Sequence, residues 1–234
     1  MPNSNEFFFV FFDCTPVFYL SSFGTCFFGF LLEKSHHGKL IGNHVSSNAV
    51  DQSSSGNGIH LWNCSNITIE NNEVNDLRDG IYLEFVKQSK VLNNNSHNNM
   101  RYGLHFMFSN ENEYHNNTFR NNGAGVAVMF SKFIKMTGNT FTKNWGTASY
   151  GLLLKEIYDA EIEHNIFEEN TTGINIEGST RINYRNNSFI RNGWAIKIAG
   201  ACYTNKFNSN NFLHNSFDIS YNSKLNDNNF DRNY

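Results

Sequence analysis

The amino-acid sequence predicts an all-β fold, a right-handed single-stranded parallel β-helix of about eight coils of 22–23 residues. Three observations predict it. The first is a glycine that heads an apolar tetrad repeatedly, at Gly58-Ile59-His60-Leu61, Gly80-Ile81-Tyr82-Leu83, Gly103-Leu104-His105-Phe106, Gly125-Val126-Ala127-Val128, Gly151-Leu152-Leu153-Leu154 and Gly173-Ile174-Asn175-Ile176. The steps between these glycines are 22, 23, 22, 26 and 22 residues. The second is an asparagine locked to the same rhythm with an apolar residue three before it, at Asn43, Asn72, Asn94, Asn117, Asn139, Asn165, Asn187, Asn210 and Asn228. Another asparagine follows five residues later in every unit except at Leu77. The third is alternation at period two inside each unit, Ile59 and Leu61 against His60 and Trp62, which is strand periodicity.

A fixed period in the twenties means stacked units, none able to bury its apolar face alone. Helical repeats would show a 3.6 period and leucine-rich repeats a leucine consensus; the chain has neither. Asn and Gly are expected at tight corners that need left-handed backbone, with asparagine amides bonding from coil to coil. Counting from each glycine, positions one and three are apolar and expected to point inward: Ile59/Leu61, Ile81/Leu83, Leu104/Phe106, Val126/Val128, Leu152/Leu154, Ile174/Ile176 and Ile196/Ile198. Positions two and four then form two outward columns, His60, Tyr82, His105, Ala127, Leu153, Asn175, Lys197 and Trp62, Glu84, Met107, Met129, Lys155, Glu177, Ala199.

The repeat domain is expected over residues 28–234, its last coil lacking the polar cap that solenoids need, as if truncated at the C-terminus. Residues 1–27 read as an irregular Phe-rich start, truncated or misread. A secretory signal wants a basic leading segment, yet the first basic residue is Lys34, and Asp13 and Pro16 interrupt the apolar run. A net charge of −3 leaves no basic stripe for nucleic acid. The cysteines Cys14, Cys26, Cys64 and Cys202 show neither C-x-x-C spacing nor the density of a disulfide scaffold.

Function has to come from the outward columns, where His, Trp, Tyr and two Met on one sheet face are unusual. Extra residues enter at one corner only, around Ser53-Ser54-Ser55 and in Trp145-Gly146-Thr147-Ala148-Ser149-Tyr150, and insertions on one edge of a solenoid mark a binding face. Arg78, Asp79, Arg101, Tyr102, Trp145 and Tyr150, with Trp62 and Tyr82, form the expected docking edge. A soft-metal site is expected from His105, Met107 and Met129, with His60 and Glu84 nearby. His105 and Met107 share a strand face, Met129 takes the place of Met107 one coil on, and thioether with imidazole favours copper(I) over hard cations. The alternative is an adaptable Met-bearing docking patch. Histidines at 97, 115, 164 and 214 fall in Asn-rich corners and are expected to be solvated.

The runs Gly56-Asn57-Gly58-Ile59-His60-Leu61-Trp62, Arg78-Asp79-Gly80-Ile81-Tyr82-Leu83-Glu84-Phe85, Arg101-Tyr102-Gly103-Leu104-His105-Phe106-Met107-Phe108-Ser109, Gly123-Ala124-Gly125-Val126-Ala127-Val128-Met129 and Ala148-Ser149-Tyr150-Gly151-Leu152-Leu153-Leu154-Lys155-Glu156 resemble the NosD family, from about Phe28 to Tyr234. The resemblance implies a periplasmic, non-enzymatic accessory of nitrous oxide reductase. Such proteins act with ABC transporter subunits and a copper chaperone lipoprotein to supply the reductase's copper-sulfur centre.

The rival is a carbohydrate-binding or carbohydrate-active protein, since pectin lyases, polygalacturonases and epimerases also use this solenoid. Glycoside hydrolysis asks for two carboxylates flanking the sugar, whereas Glu84 and Glu177 are four coils apart, roughly 19 Å at ~4.8 Å per coil. Trp62, Tyr82 and Trp145 keep sugar stacking open.

Overall fold

Most coils are built from one long and two short strands, as in Asn57–Trp62, Thr68–Glu70 and Glu73–Asn75, followed by Asp79–Glu84, Lys90–Leu92 and Asn95–His97. This computed structural model describes residues 17–18, 28–48, 50–222 and 227–234. Like strands of successive coils pair in parallel and make three sheets, of nine long strands, ten strands and eight strands. No helix occurs among the described residues. The expected irregularity of residues 1–27 lies outside the described residues except at Val17–Phe18, which pairs with Lys39–Leu40.

Period-two alternation places the core as the sequence predicts. Ile59, Leu61, Ile81, Leu83, Leu104, Phe106, Val126, Val128, Leu152, Leu154, Ile174, Ile176, Ile196 and Ile198 are at most 2% exposed. Aromatic columns fill the rest: Phe119, Phe141, Phe167, Phe189 and Phe212 stack coil upon coil with ring centroids 4.6–5.4 Å apart. Close, near-parallel stacking of identical rings packs the interior at crystal-like density.

The corners between the two short strands use one residue in left-handed conformation, then one inward asparagine. Asn71, Asn93, Asn116, His164 and Asn186 have φ of 54–55°, and Asn72, Asn94, Asn117, Asn165 and Asn187 follow them. Asparagine tolerates this region better than other side-chain-bearing residues. The inward amides form a continuous ladder from Asn43 through Asn72, Asn94, Asn117, Asn139, Asn165, Asn187 and Asn210 to Asn233. Each amide nitrogen between Asn72 and Asn210 also donates to a strand carbonyl on the preceding coil, so buried polar groups are satisfied in pairs. A second ladder runs Asn99, Asn122, Asn144, Asn170, Asn192 and Asn215 at the next corner.

Two sequence expectations need correction. Asn228 does not continue the first ladder. It precedes Asn229–Asp231, a strand paired with Lys206–Asn208, and its amide oxygen accepts from the Asn205 backbone nitrogen instead. Asn233 takes the ladder position after Asn210; the asparagine-to-Phe spacing occurs at two corners of the preceding coil, Asn205 to Phe207 and Asn210 to Phe212, and Asn228 repeats the first of them.

Glycine does take left-handed backbone at corners, at Gly42, Gly138, Gly178 and Gly200 with φ of 56–74°, but the repeat glycines are not among them and none has positive φ. They sit beside the start of the long strands, where there is no space for a Cβ. At Gly58 it would stand 2.5 Å from the Gly80 carbonyl oxygen, and at Gly125 2.4 Å from that of Gly151. Close approach between coils, rather than left-handed backbone, requires glycine here.

Candidate functional site

The outward face of the nine-stranded sheet brings the metal candidates into register. On strand Tyr102–Met107, His105 has Tyr82 and Ala127 as cross-strand neighbours, and Met107 has Glu84 and Met129. Met107 and Met129 are therefore direct neighbours, with His105 two residues back on the same face. Alternation orients these residues as expected, yet His105, Ala127 and Leu153 are only 8%, 0% and 5% exposed. The outward column is covered in the middle of the rod, and over His105 aromatic rings supply the cover. Tyr82 meets the imidazole edge-on at 5.1 Å and Tyr102 lies tilted against it at 4.8 Å.

Both ring nitrogens of His105 are buried and neither has a hydrogen-bond partner. Burial pushes its pKa below the usual histidine range, Asp79 pulling the other way and Arg101 adding to the depression. The ring is neutral at neutral pH and offers a lone pair without first losing a proton. An unsatisfied buried polar group costs about 1–3 kcal/mol. A metal cation would use the lone pair that the protein leaves unbonded.

His60 lies in the same column, two strands from His105, with the Tyr82 ring between them at 4.6 Å from His60. Its Nδ1 is 3.2 Å from the Asn57 amide nitrogen. Burial, helped by Arg78, pushes its pKa down to about 4. The Tyr82 hydroxyl donates to Glu84 at 3.4 Å, which puts the carboxylate beside Met107. His105, Met107 and Met129 thus form one contiguous group, and His60 stands outside it.

The insertion corner carries the docking candidates as one edge, because both insertions immediately precede long strands. Arg101 grips Asp79 through both nitrogens, Nε to Oδ1 at 2.9 Å and Nη2 to Oδ2 at 2.6 Å. The Asp79 side chain is fully buried, so it anchors Arg101 rather than meeting a partner; its place at the strand start, beneath the arginine, removes it from the surface. Arg78 donates to Asn57 Oδ1 at 3.0 Å. Arg101 lies 5.2 Å from the Tyr102 ring, and Lys34 5.3 Å from Trp62. Burial raises the Tyr150 pKa, and the neighbouring Tyr102 raises it further. Trp145, on the second insertion, is 57% exposed.

Three residues escaped the sequence expectation. Phe85, Phe108 and Phe130 stack along the exterior at 5.3 and 5.2 Å, all 42–45% exposed and with φ of 49–54°. A bulky side chain in left-handed backbone is strained. Each directly follows Glu84, Met107 or Met129, so extending the outward register by one residue past the strand would have revealed the column. His97 also departs from expectation: it is not solvated but buried against the Glu73 carboxylate at 3.1 Å.

Among the described residues no group of three or more His, Cys, Asp and Glu could hold a metal ion. Cys64 and Cys202 are buried singly, and burial raises both thiol pKa values, so neither offers a thiolate. In register on one sheet face stand one imidazole and two thioethers, donor types suited to copper(I).

The family described as periplasmic copper-binding protein (NosD) matches residues 41–234. No curated protein matches the chain. Solved structures share the fold at low identity. The A-module of Azotobacter vinelandii mannuronan C-5 epimerase AlgE4 is 14% identical with a TM-score of 0.61, the match covering 86% of this chain and 72% of that one. The periplasmic alginate epimerase AlgG is 15% identical with a TM-score of 0.63, over 94% of this chain and 50% of that one. Tailspike protein 2 of the Escherichia coli O157:H7 bacteriophage CAB120 is 14% identical with a TM-score of 0.58, over 92% and 38%. This chain thus spans about half the length of the alginate epimerase and less of the tailspike. The solenoid is shared with pectin-lyase-like β-helix proteins, and residues 41–234 place the chain in the NosD family of periplasmic copper-binding proteins.

Proposed function

We propose that this protein is a non-enzymatic periplasmic accessory of nitrous oxide reductase maturation that handles copper(I) on its way to the copper-sulfur centre. His105, Met107 and Met129 hold the ion. The observation that carries this reading is the His105 imidazole, neutral and unbonded at both nitrogens, in register with a pair of adjacent methionines. Two thioethers and an imidazole bind a soft monovalent ion without a charged ligand, which keeps the ion transferable. Docking falls to the edge of Arg78, Arg101, Tyr102, Trp145 and Tyr150, with Trp62 and Tyr82 on the adjoining face. ABC transporter subunits and a copper chaperone lipoprotein are the partners that family membership suggests.

The carbohydrate alternative has the fold in its favour, since two of the similar structures are alginate epimerases by name. Its chemistry has less support. Glu84 and Glu177 occupy one column with Met107, Met129 and Lys155 between them, roughly four steps of ~4.8 Å. That exceeds the separation of paired catalytic carboxylates.

Anaerobic competition with a copper(I) chelator tests the proposal. The unaltered chain is expected to take copper(I) from the chelator, and Met107→Leu with Met129→Leu to weaken it by at least about tenfold, ~1.4 kcal/mol. Unchanged affinity in the double variant, or binding of oligouronates with no copper(I) uptake, overturns it.

A further inference from the structure

The His105 nitrogens are buried below solvent contact, so no ligand reaches them in the conformation described. Something has to move first. His105 is 8% exposed, and the rings packed on it are those of Tyr82 and Tyr102. These two are held very differently. Tyr82 is wedged between two imidazoles, 4.6 Å from His60 and 5.1 Å from His105, and its hydroxyl is bonded to Glu84. Moving it would break a three-ring stack in the middle of the sheet. Tyr102 opens its strand at the corner and is partly exposed. Its ring lies 5.2 Å from the Arg101 guanidinium, and Tyr150 stands two coils along the same edge: Tyr102 is in register with Ala124, and the next residue, Gly125, donates its nitrogen to the Tyr150 carbonyl at 2.8 Å. Arg101 itself is fixed to the buried Asp79, so it gives Tyr102 a rigid backstop on one side only.

We propose that Tyr102 is the gate of the His105 imidazole, and that Tyr150, carried on the insertion Trp145 to Tyr150, latches it shut. The inference rests on the copper(I) reading of this site for its purpose but not for its geometry. A χ1 rotation of one partly exposed tyrosine, at the cost of its ring contact with His105, uncovers the ring nitrogens while leaving the sheet intact. It also gives the insertion at this corner a task. A partner that binds Trp145 and Tyr150 would pull the latch, so engagement of the docking edge speeds the metal's access to His105, which the free chain reaches only as fast as Tyr102 swings out. In this arrangement Tyr102 and Tyr150 are positioning residues; neither supplies a ligand atom.

Carbethoxylation by diethyl pyrocarbonate, read residue by residue by mass spectrometry, measures access to a neutral imidazole without any metal. The exposed His44 serves as internal reference. In the unaltered chain His105 is expected to react at least tenfold more slowly than His44. Tyr102→Ala should bring His105 to within a few-fold of His44, and Tyr150→Phe, which removes only the latching hydroxyl, should raise its rate by a smaller factor. Should Tyr102→Ala fail to fold, Tyr102→Leu and Tyr150→Phe give the same readout. His105 labelling as fast as His44 in the unaltered chain, or unchanged by both substitutions, overturns the gate. Faster labelling in the variants with no copper(I) uptake by any of them upholds the gate and overturns the copper reading, so the two failures are distinguishable.

Discussion

Phe167→Ala is expected to destabilise the solenoid by about 4 kcal/mol, the middle of the range for aromatic truncation in a core. The Phe167 side chain is fully buried between Phe141 at 4.6 Å and Phe189 at 5.0 Å, so truncation removes two stacking contacts and leaves a cavity that ladder neighbours cannot close without shifting whole coils. Chemical denaturation followed by tyrosine and tryptophan fluorescence checks it. A loss below about 1.5 kcal/mol would mean that the column repacks freely.

Asn139→Ala is expected to cost nearly as much, about 3–4 kcal/mol, although it removes only a polar side chain. Its amide nitrogen donates to Tyr114 O at 2.9 Å and to Asn165 Oδ1 at 3.0 Å, while its oxygen accepts from the Asn117 backbone and side-chain nitrogens at 3.0 Å each. Alanine removes all four bonds; Asn165 Oδ1 keeps the Asn139 backbone nitrogen and Asn117 Nδ2 keeps Val91 O, but the Asn117 backbone nitrogen loses its amide partner, and no water can replace an amide inside the ladder without a cavity of its own. Asn75→Ala, at a half-buried asparagine outside the ladders whose amide meets only Asp76 and the His44 ring, is the control and should cost no more than about 1 kcal/mol in the same denaturation series.

The fold was legible because a β-helix writes each structural position once per coil. Period-two alternation located the core from Ile59 to Ile198, and the asparagine spacing located the ladders. What was illegible depends on contacts between coils that a one-dimensional register does not encode. Left-handed corners account for Gly138 and Gly178, but at Gly58 and Gly125 glycine is required because the neighbouring coil's carbonyl leaves no space for a Cβ. Asn228 was placed one corner late because two corners share its spacing pattern. At the site, register alone put His105, Met107 and Met129 on one face. Burial of His105 under Tyr102 was not visible, since those residues are three apart and of opposite alternation; they meet because the chain turns at the strand start. Asp79 looked like a surface acid for the same reason. The outer column Phe85, Phe108 and Phe130 was missed because it begins where the strand pattern ends.

The central claim is that a copper(I) ion would sit between one imidazole and two thioethers on the outer face of the long-strand sheet. X-ray absorption at the copper edge of the anaerobically loaded chain tests it most directly. The account predicts a mixed shell containing sulfur and imidazole nitrogen, with the sulfur contribution lost in Met107→Leu with Met129→Leu and the imidazole contribution lost in His105→Asn. A shell of nitrogen and oxygen alone, or one that none of these substitutions changes, would contradict it.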